Sequence, residues 1–188
     1  MFIKPALKLL LRALIILPLV GLSACGSGAP VKALPPDADV FWGAEENALL
    51  LKFKAGPNLN LDRGQPSSLA VCVYQLADSR MFEQLRSQPE GLAPLAACDK
   101  FDDSVLAFQR VFLEPGQSLE KFLDRREGAR FVGVAAAYYN LESERCIRLL
   151  PIPLVNVSDG WFSSHRAPGQ LVLELNFGPD WPEGPMEK

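Results

Sequence analysis

Residues 130–139 read RFVGVAAAYY and residues 68–76 read SLAVCVYQL. Both are short apolar runs rich in Val, Tyr and small residues, and both stop at turn-forming residues. Ala48 to Ala55 (ALLLKFKA) is a third such run and ends at Gly56-Pro57, and Gln109 to Leu113 ends at Glu114-Pro115-Gly116-Gln117. Cys146 to Ile152 (CIRLLPI) and Leu171 to Phe177 (LVLELNF) complete the set. Runs of this length, punctuated by Gly, Pro and Asn, predict an all-β fold: an antiparallel sandwich or barrel. The chain contains no threonine, so Val, Ile, Phe and Tyr carry the strand preference.

One segment breaks the pattern. From Asp78 to Leu85 a capping residue precedes Met81, Phe82 and Leu85 at helical spacing, which predicts a short helix from about Ser79 to Ser87. Gly91 to Asp103, with Pro94, reads as a less regular excursion. Leu119, Phe122 and Leu123 fit either a helical turn or a strand after the Pro-Gly turn.

The N-terminus is of another kind. Lys4, Lys8 and Arg12 precede the apolar block Ala13 to Val20, which leads into Gly21-Leu22-Ser23-Ala24-Cys25. A membrane-spanning helix needs about 20 apolar residues; Ala13 to Ala24 supplies 12. A cationic leader, a short apolar block and small residues before a cut site mark a secretory signal. Leu22-Ser23-Ala24-Cys25 resembles the lipobox of bacterial lipoproteins, which implies cleavage before Cys25 and acyl chains on that residue. Several chains anchor stably where one holds only marginally, because each buried CH₂ contributes about 0.8 kcal/mol. Gly26 after the cysteine, in place of Asp, implies sorting to the outer membrane. Gly26 to Asp39, with Pro30, Pro35 and Pro36, reads as an extended tether.

Removal of Lys4, Lys8 and Arg12 with the leader takes the formal charge from −3 to −6. A modestly acidic chain argues against nucleic acid, whose phosphates require clustered Lys and Arg. The sequence has no G-x-S-x-G, H-E-x-x-H, P-loop or G-x-G-x-x-G pattern, so catalysis, a metal, a cofactor and a small-molecule substrate are not expected. The single histidine, His165, lies in a polar-aromatic loop without a second ligand at useful spacing and reads as an ordinary surface residue. Glu45-Glu46 and Asp102-Asp103 read as solvated or helix-start charges. With Cys25 acylated, Cys72, Cys98 and Cys146 remain. A Cys72–Cys98 bridge, a Cys72–Cys146 bridge and three unbridged thiols all stay open.

Asn58-Leu59-Asn60-Leu61-Asp62-Arg63-Gly64-Gln65-Pro66 followed by Leu69 to Leu76, with its Tyr74-Gln75-Leu76 end, resembles the type VI secretion lipoprotein family TssJ (SciN/VasD). Leu113-Glu114-Pro115-Gly116-Gln117 is similar to that family's Leu-x-Pro-Gly-Glu turn. Ala129 to Tyr138 is similar to its aromatic-Val-Gly-Val-x-Ala-x-Tyr strand. Cys72 and Tyr139 stand where the family often has Arg, Cys146 stands near a common Trp, and residues 154 to 188 match little beyond a final strand.

The resemblance implies a two-sheet, transthyretin-like antiparallel β-sandwich with a short helical insertion after the second strand. It implies a structural subunit and not an enzyme, held on the periplasmic face of the outer membrane by lipid on Cys25. The implied partner is the periplasmic domain of a TssM-like inner-membrane protein. The loop between the first two strands, Gly56 to Ser67, is the implied contact, through Asn58, Leu59, Asn60, Leu61, Asp62 and Arg63. On residue type alone Leu59 and Leu61 read as an end plug of the sandwich, since buried leucines are the commoner case; with the resemblance they are expected to protrude. The expected domains are a signal peptide (1–24), a lipidated tether (25–45), the sandwich (46–178) and a tail (179–188). A different reading makes the protein a periplasmic ligand- or carbohydrate-binding lipoprotein with Trp161, Phe162, His165 and Trp181 as an aromatic platform.

Overall fold

The computed structural model describes residues 39–139, 146–161, 163–180 and 182–183. The signal peptide, Cys25 and most of the tether lie outside the described residues, as do Phe162 and Trp181.

Two four-stranded sheets face each other. The first holds β1 (Glu45–Ala55), β4 (Ser118–Arg125), β9 (Leu171–Phe177) and β10 (Pro182–Glu183) in the order β10-β9-β1-β4. The second holds β2 (Leu69–Leu76), β3 (Val105–Leu113), β5 (Phe131–Ala136) and β6 (Ile147–Pro151) in the order β3-β2-β5-β6. Pairing is antiparallel except between β1 and β9, which run parallel with Leu49 opposite Leu171 and Ala55 opposite Phe177. β10 lies in the stretch expected as a tail and extends the first sheet instead.

The sequence patterns follow from which faces are covered. β9 has one buried face: Leu171, Leu173, Leu175 and Phe177 point inward while Val172, Glu174 and Asn176 face water, giving the alternation of LVLELNF. β2 and β5 are buried on both faces and therefore read as unbroken apolar runs. Val71, Val73, Val132 and Val134 join Leu49, Leu51 and Phe53 in the core between the sheets. Cys72, Tyr74, Leu76 and Ala135 point the other way, into a second cluster with Phe82, Leu92 and Leu95.

That second cluster is roofed by α1 (Arg80–Arg86), a 3₁₀ turn (Pro89–Gly91) and α2 (Leu92–Ala96). Ser79 and Ser87 flank α1, as the helical spacing of Phe82 and Leu85 predicts, and the Asp78 carboxylate accepts the Arg80 backbone N–H at 3.1 Å. A Cys72–Cys98 disulfide closes the roof onto β2, and Cys146 is buried elsewhere in the core. Tyr74 reaches up through the cluster and donates its hydroxyl to the Leu95 carbonyl at 2.8 Å. Gly133 is glycine because the Phe82 ring lies on it: a Cβ there would sit 2.4 Å from Cε2 of Phe82.

Gln75, buried in β2, joins the sheets: its amide donates to the Asp124 carbonyl (2.8 Å) and accepts the Arg126 N–H (2.7 Å). A polar residue in an apolar strand is tolerated because both ends of its amide are satisfied. Arg125 is buried as well, with Glu45 at 2.9 Å and the Gly43 carbonyl at 3.1–3.2 Å.

Three segments depart from the sequence reading. β3 begins at Val105, four residues before the expected Gln109, because Leu106 and Phe108 are apolar on the exposed phase and mask the alternation. Residues 118–125 are a strand, settled by pairing with β1. The loop expected around Trp161 is a hairpin of β7 (Leu154–Ser158) and β8 (Ser164–Pro168), whose mostly exposed residues carry no hydrophobic signal.

Candidate functional site

The connection from β1 to β2 lies where β1 ends against β9 and the β3–β4 turn. The Gly56 N–H donates to Phe177 O at 2.8 Å, and the Gly116 N–H donates to Gly56 O at 3.1 Å. Further along, the N–H groups of Asn60 and Leu61 donate to the carbonyls of Gly178 (3.3 Å) and Pro179 (3.1 Å). Ser67 N–H closes the loop on Leu59 O at 3.0 Å. The loop is thus stitched into the sheet along its length.

Its tip is a tight turn. Asp62 and Gln65 exchange backbone hydrogen bonds of 2.9 Å in both directions. Between them Arg63 and Gly64 have φ of 50° and 80°, the positive pair of a type I′ turn, which glycine adopts without strain. Arg63 is thereby held outward in water, with Asp62 half-buried beside it.

Here the expectation for two residues is corrected. Leu59 does not protrude: it is fully buried among Leu69, Phe53 and Phe177 in the central cluster and plugs the end of the sandwich. Apolar area removed from water, worth about 25 cal/mol per Å², holds it there. Asn60 is also buried, at φ 45°, with its amide donating to Ser68 O (2.8 Å) and accepting the Tyr139 N–H (2.9 Å). The two shape the loop from beneath. Asn58 and Arg63 are exposed, and Leu61 and Asp62 are partly so.

Two neighbours were not legible as members of the site. Tyr139, which is 61% exposed, is fixed beside the loop through Asn60, 79 residues away in sequence. Pro179 and Gly178 run along its other flank and, with Lys54, Pro57, Asn58 and Asn176, line a groove of about 370 Å³. No local pattern links such distant residues; only the sheet does.

The other candidate residues are placed apart from this loop. His165 contacts Asp159 at 2.6 Å on the β7–β8 hairpin, and Trp161 is almost fully exposed at the hairpin's tip. Asp102 accepts the Ser104 N–H (3.0 Å) and hydroxyl (2.6 Å), a local turn. Among the described residues no group of three or more His, Cys, Asp and Glu is placed to hold a metal ion, and no helix is long and apolar enough to cross a membrane.

A family model described as "Type VI secretion lipoprotein, VasD, EvfM, TssJ" matches residues 47–172. No curated protein sequence matches the chain. Among solved structures, one described as the type VI secretion protein TssM C-terminal domain from EAEC is similar over 73% of this chain and 98% of that one, at 20% identity and a TM-score of 0.54. Another, described as a type VI membrane complex, is similar over 76% of this chain and 98% of that one, at 21% identity and a TM-score of 0.54. The type VI lipoprotein TssJ1 from Pseudomonas aeruginosa aligns over 77% of this chain and 98% of its own, at 19% identity and a TM-score of 0.49.

Proposed function

The chain belongs to the type VI secretion lipoprotein family, and on that premise we propose that it ties the secretion apparatus to the outer membrane. The family is a structural subunit of the secretion membrane complex and not an enzyme. Acyl chains on Cys25 hold the sandwich on the periplasmic face. The loop from Gly56 to Ser67 binds the periplasmic domain of a TssM-like inner-membrane protein.

One observation carries the assignment of the loop: its backbone is fixed before any partner arrives. Six loop N–H groups are committed to carbonyls of β9, the segment after it, or the loop itself. A rigid loop does not lose freedom on binding, and ordering a mobile side chain costs about 0.5–1.5 kcal/mol each. The presented surface is Asn58, Leu61, Asp62 and Arg63, flanked by Tyr139. A tyrosine and an arginine around a small apolar centre are residue types that dominate interface energies. Leu59 and Asn60 act from below as supports.

The test is co-purification with the periplasmic domain of the TssM-like protein. Leu61→Asp with Arg63→Glu is expected to abolish capture while the melting temperature is kept. Full capture by that variant would remove the loop as the contact. Separately, Cys25→Ala is expected to move the protein out of the outer-membrane fraction; unchanged fractionation would end the anchor reading.

A further inference from the structure

The domain has two unlike ends. β1 and β9 run parallel, so the partner loop, following Ala55 and Phe177, lies at one end. The opposite end, where β1 starts, receives the chain arriving from Cys25. There Asp39, the first described residue, accepts a 2.7 Å hydrogen bond from the Arg166 guanidinium on β8. Gln170, just after β8, donates to the Asn47 carbonyl of β1 at 3.0 Å. An eleven-residue strand separates the ends by about 35 Å.

From that end projects the β7–β8 hairpin, which pairs with no other described strand. Its tip is braced: Asp159 N–H donates to Ser163 O (2.9 Å), the Ser158 hydroxyl donates to Gly160 O (2.8 Å), and His165 Nδ1 meets the Asp159 carboxylate. This bracing holds Trp161 out in solvent at 95% exposure, with Val155 and Val157 also exposed along the hairpin. A two-stranded hairpin alone is marginal in water, and an indole presented at its tip has no internal packing role.

We infer that Trp161 seats in the headgroup region of the phospholipid bilayer, so that the hairpin is a second foot beside the lipid anchor. The inference rests on the anchoring reading above. The fifteen residues from Cys25 to Asp39 reach at most about 50 Å, and they join the domain beside this hairpin. Indole rings favour the membrane–water interface, where the ring is shielded and the N–H stays wet. The hairpin's charges (Asp159 and Arg166, with Asp39 on its flank) are mixed in sign, which suits a zwitterionic surface. Seated this way, the molecule stands on the membrane with its partner loop at the far end of the domain, an eleven-residue strand beyond the hairpin's root, pointing into the periplasm.

The test replaces the acyl anchor, so that failure of acylation and failure of the hairpin are told apart. Pro36 to Lys188 forms one compact unit. The chain from residue 25, with Cys25→Ser and an N-terminal His tag, is therefore bound to phosphatidylethanolamine–phosphatidylcholine vesicles through a nickel-chelating lipid. The Trp161 contribution, taken as the difference from Trp161→Ser, is expected to shift to the blue and to be quenched by bromines near the top of the acyl chains. Melting of the two proteins should coincide, since the residue is exposed. An unshifted, unquenched Trp161 on tethered protein would overturn the inference. So would Trp161-dependent dimerisation without vesicles, or loss of the TssM-like partner from Trp161→Ser, because the tip would then serve a protein contact.

Discussion

Asn60 accepts the backbone N–H of Tyr139 at 2.9 Å and donates to the Ser68 carbonyl at 2.8 Å, so one buried amide locks the β1–β2 loop to the segment that follows β5 and to the residue that precedes β2. Asn60→Ala removes both bonds, strands a buried carbonyl and N–H, and places alanine at positive φ. A loss of about 2–4 kcal/mol is expected in denaturant unfolding. Capture of the TssM-like partner should weaken with it, although Asn60 itself is beneath the surface. Asn58→Ala, at an exposed position, should leave unfolding unchanged.

Leu59 and Leu61 look alike in sequence and should behave oppositely. Leu59→Ala opens a cavity in the core and is expected to cost about 3 kcal/mol. Leu61→Ala should cost under about 1 kcal/mol of stability and act mainly on partner binding. Paired chemical denaturation and pull-down assays separate the two.

The Cys72–Cys98 bridge closes a 26-residue loop. On the chain-entropy account the double variant Cys72→Ala, Cys98→Ala should lose about 3.5 kcal/mol. The helical roof sits over Tyr74 and Phe82, so amide exchange should rise first in residues 80–98. Uniform exchange across both sheets would contradict a local role for the bridge.

Gly133→Ala puts a methyl group into the Phe82 ring, which is fully buried and has nowhere to go. Overpacking of this kind should cost about 1–3 kcal/mol. Phe82→Leu in the same chain should recover part of the loss, a coupling readable in a double-mutant cycle.

Burial pushes the Tyr74 hydroxyl up from 10.0 to about 12. Because the folded value lies above the unfolded one, the protonated side chain contributes stability below pH 10 that is lost as pH rises toward 12. Absorbance at 295 nm should show Tyr74 ionising together with alkaline unfolding, and Tyr74→Phe should lose that step.

The fold was legible where one residue type does one job. LVLELNF alternates because β9 has one wet face, and RFVGVAAAYY is continuous because β5 has none. The helix after β2 was legible from Phe82 and Leu85. The β7–β8 hairpin was not, since VNVS and SHRA bury little and are paired through backbone groups that every sequence possesses. Nor was the first half of β3, where exposed Leu106 and Phe108 hide the period.

The candidate loop divides the same way. By itself the sequence determined its limits and its resemblance to a secretion lipoprotein, because these depend on local backbone preference and residue order. Tertiary structure alone decided that Leu59 turns inward and that Asn60 is a clamp. It also decided that Cys98, and not Cys146, meets Cys72, and that Asp39 and Trp161 share an end remote from the loop. Each of those outcomes depends on which strands lie side by side, and burial and hydrogen-bond partners are set by neighbours in space that chain order does not name.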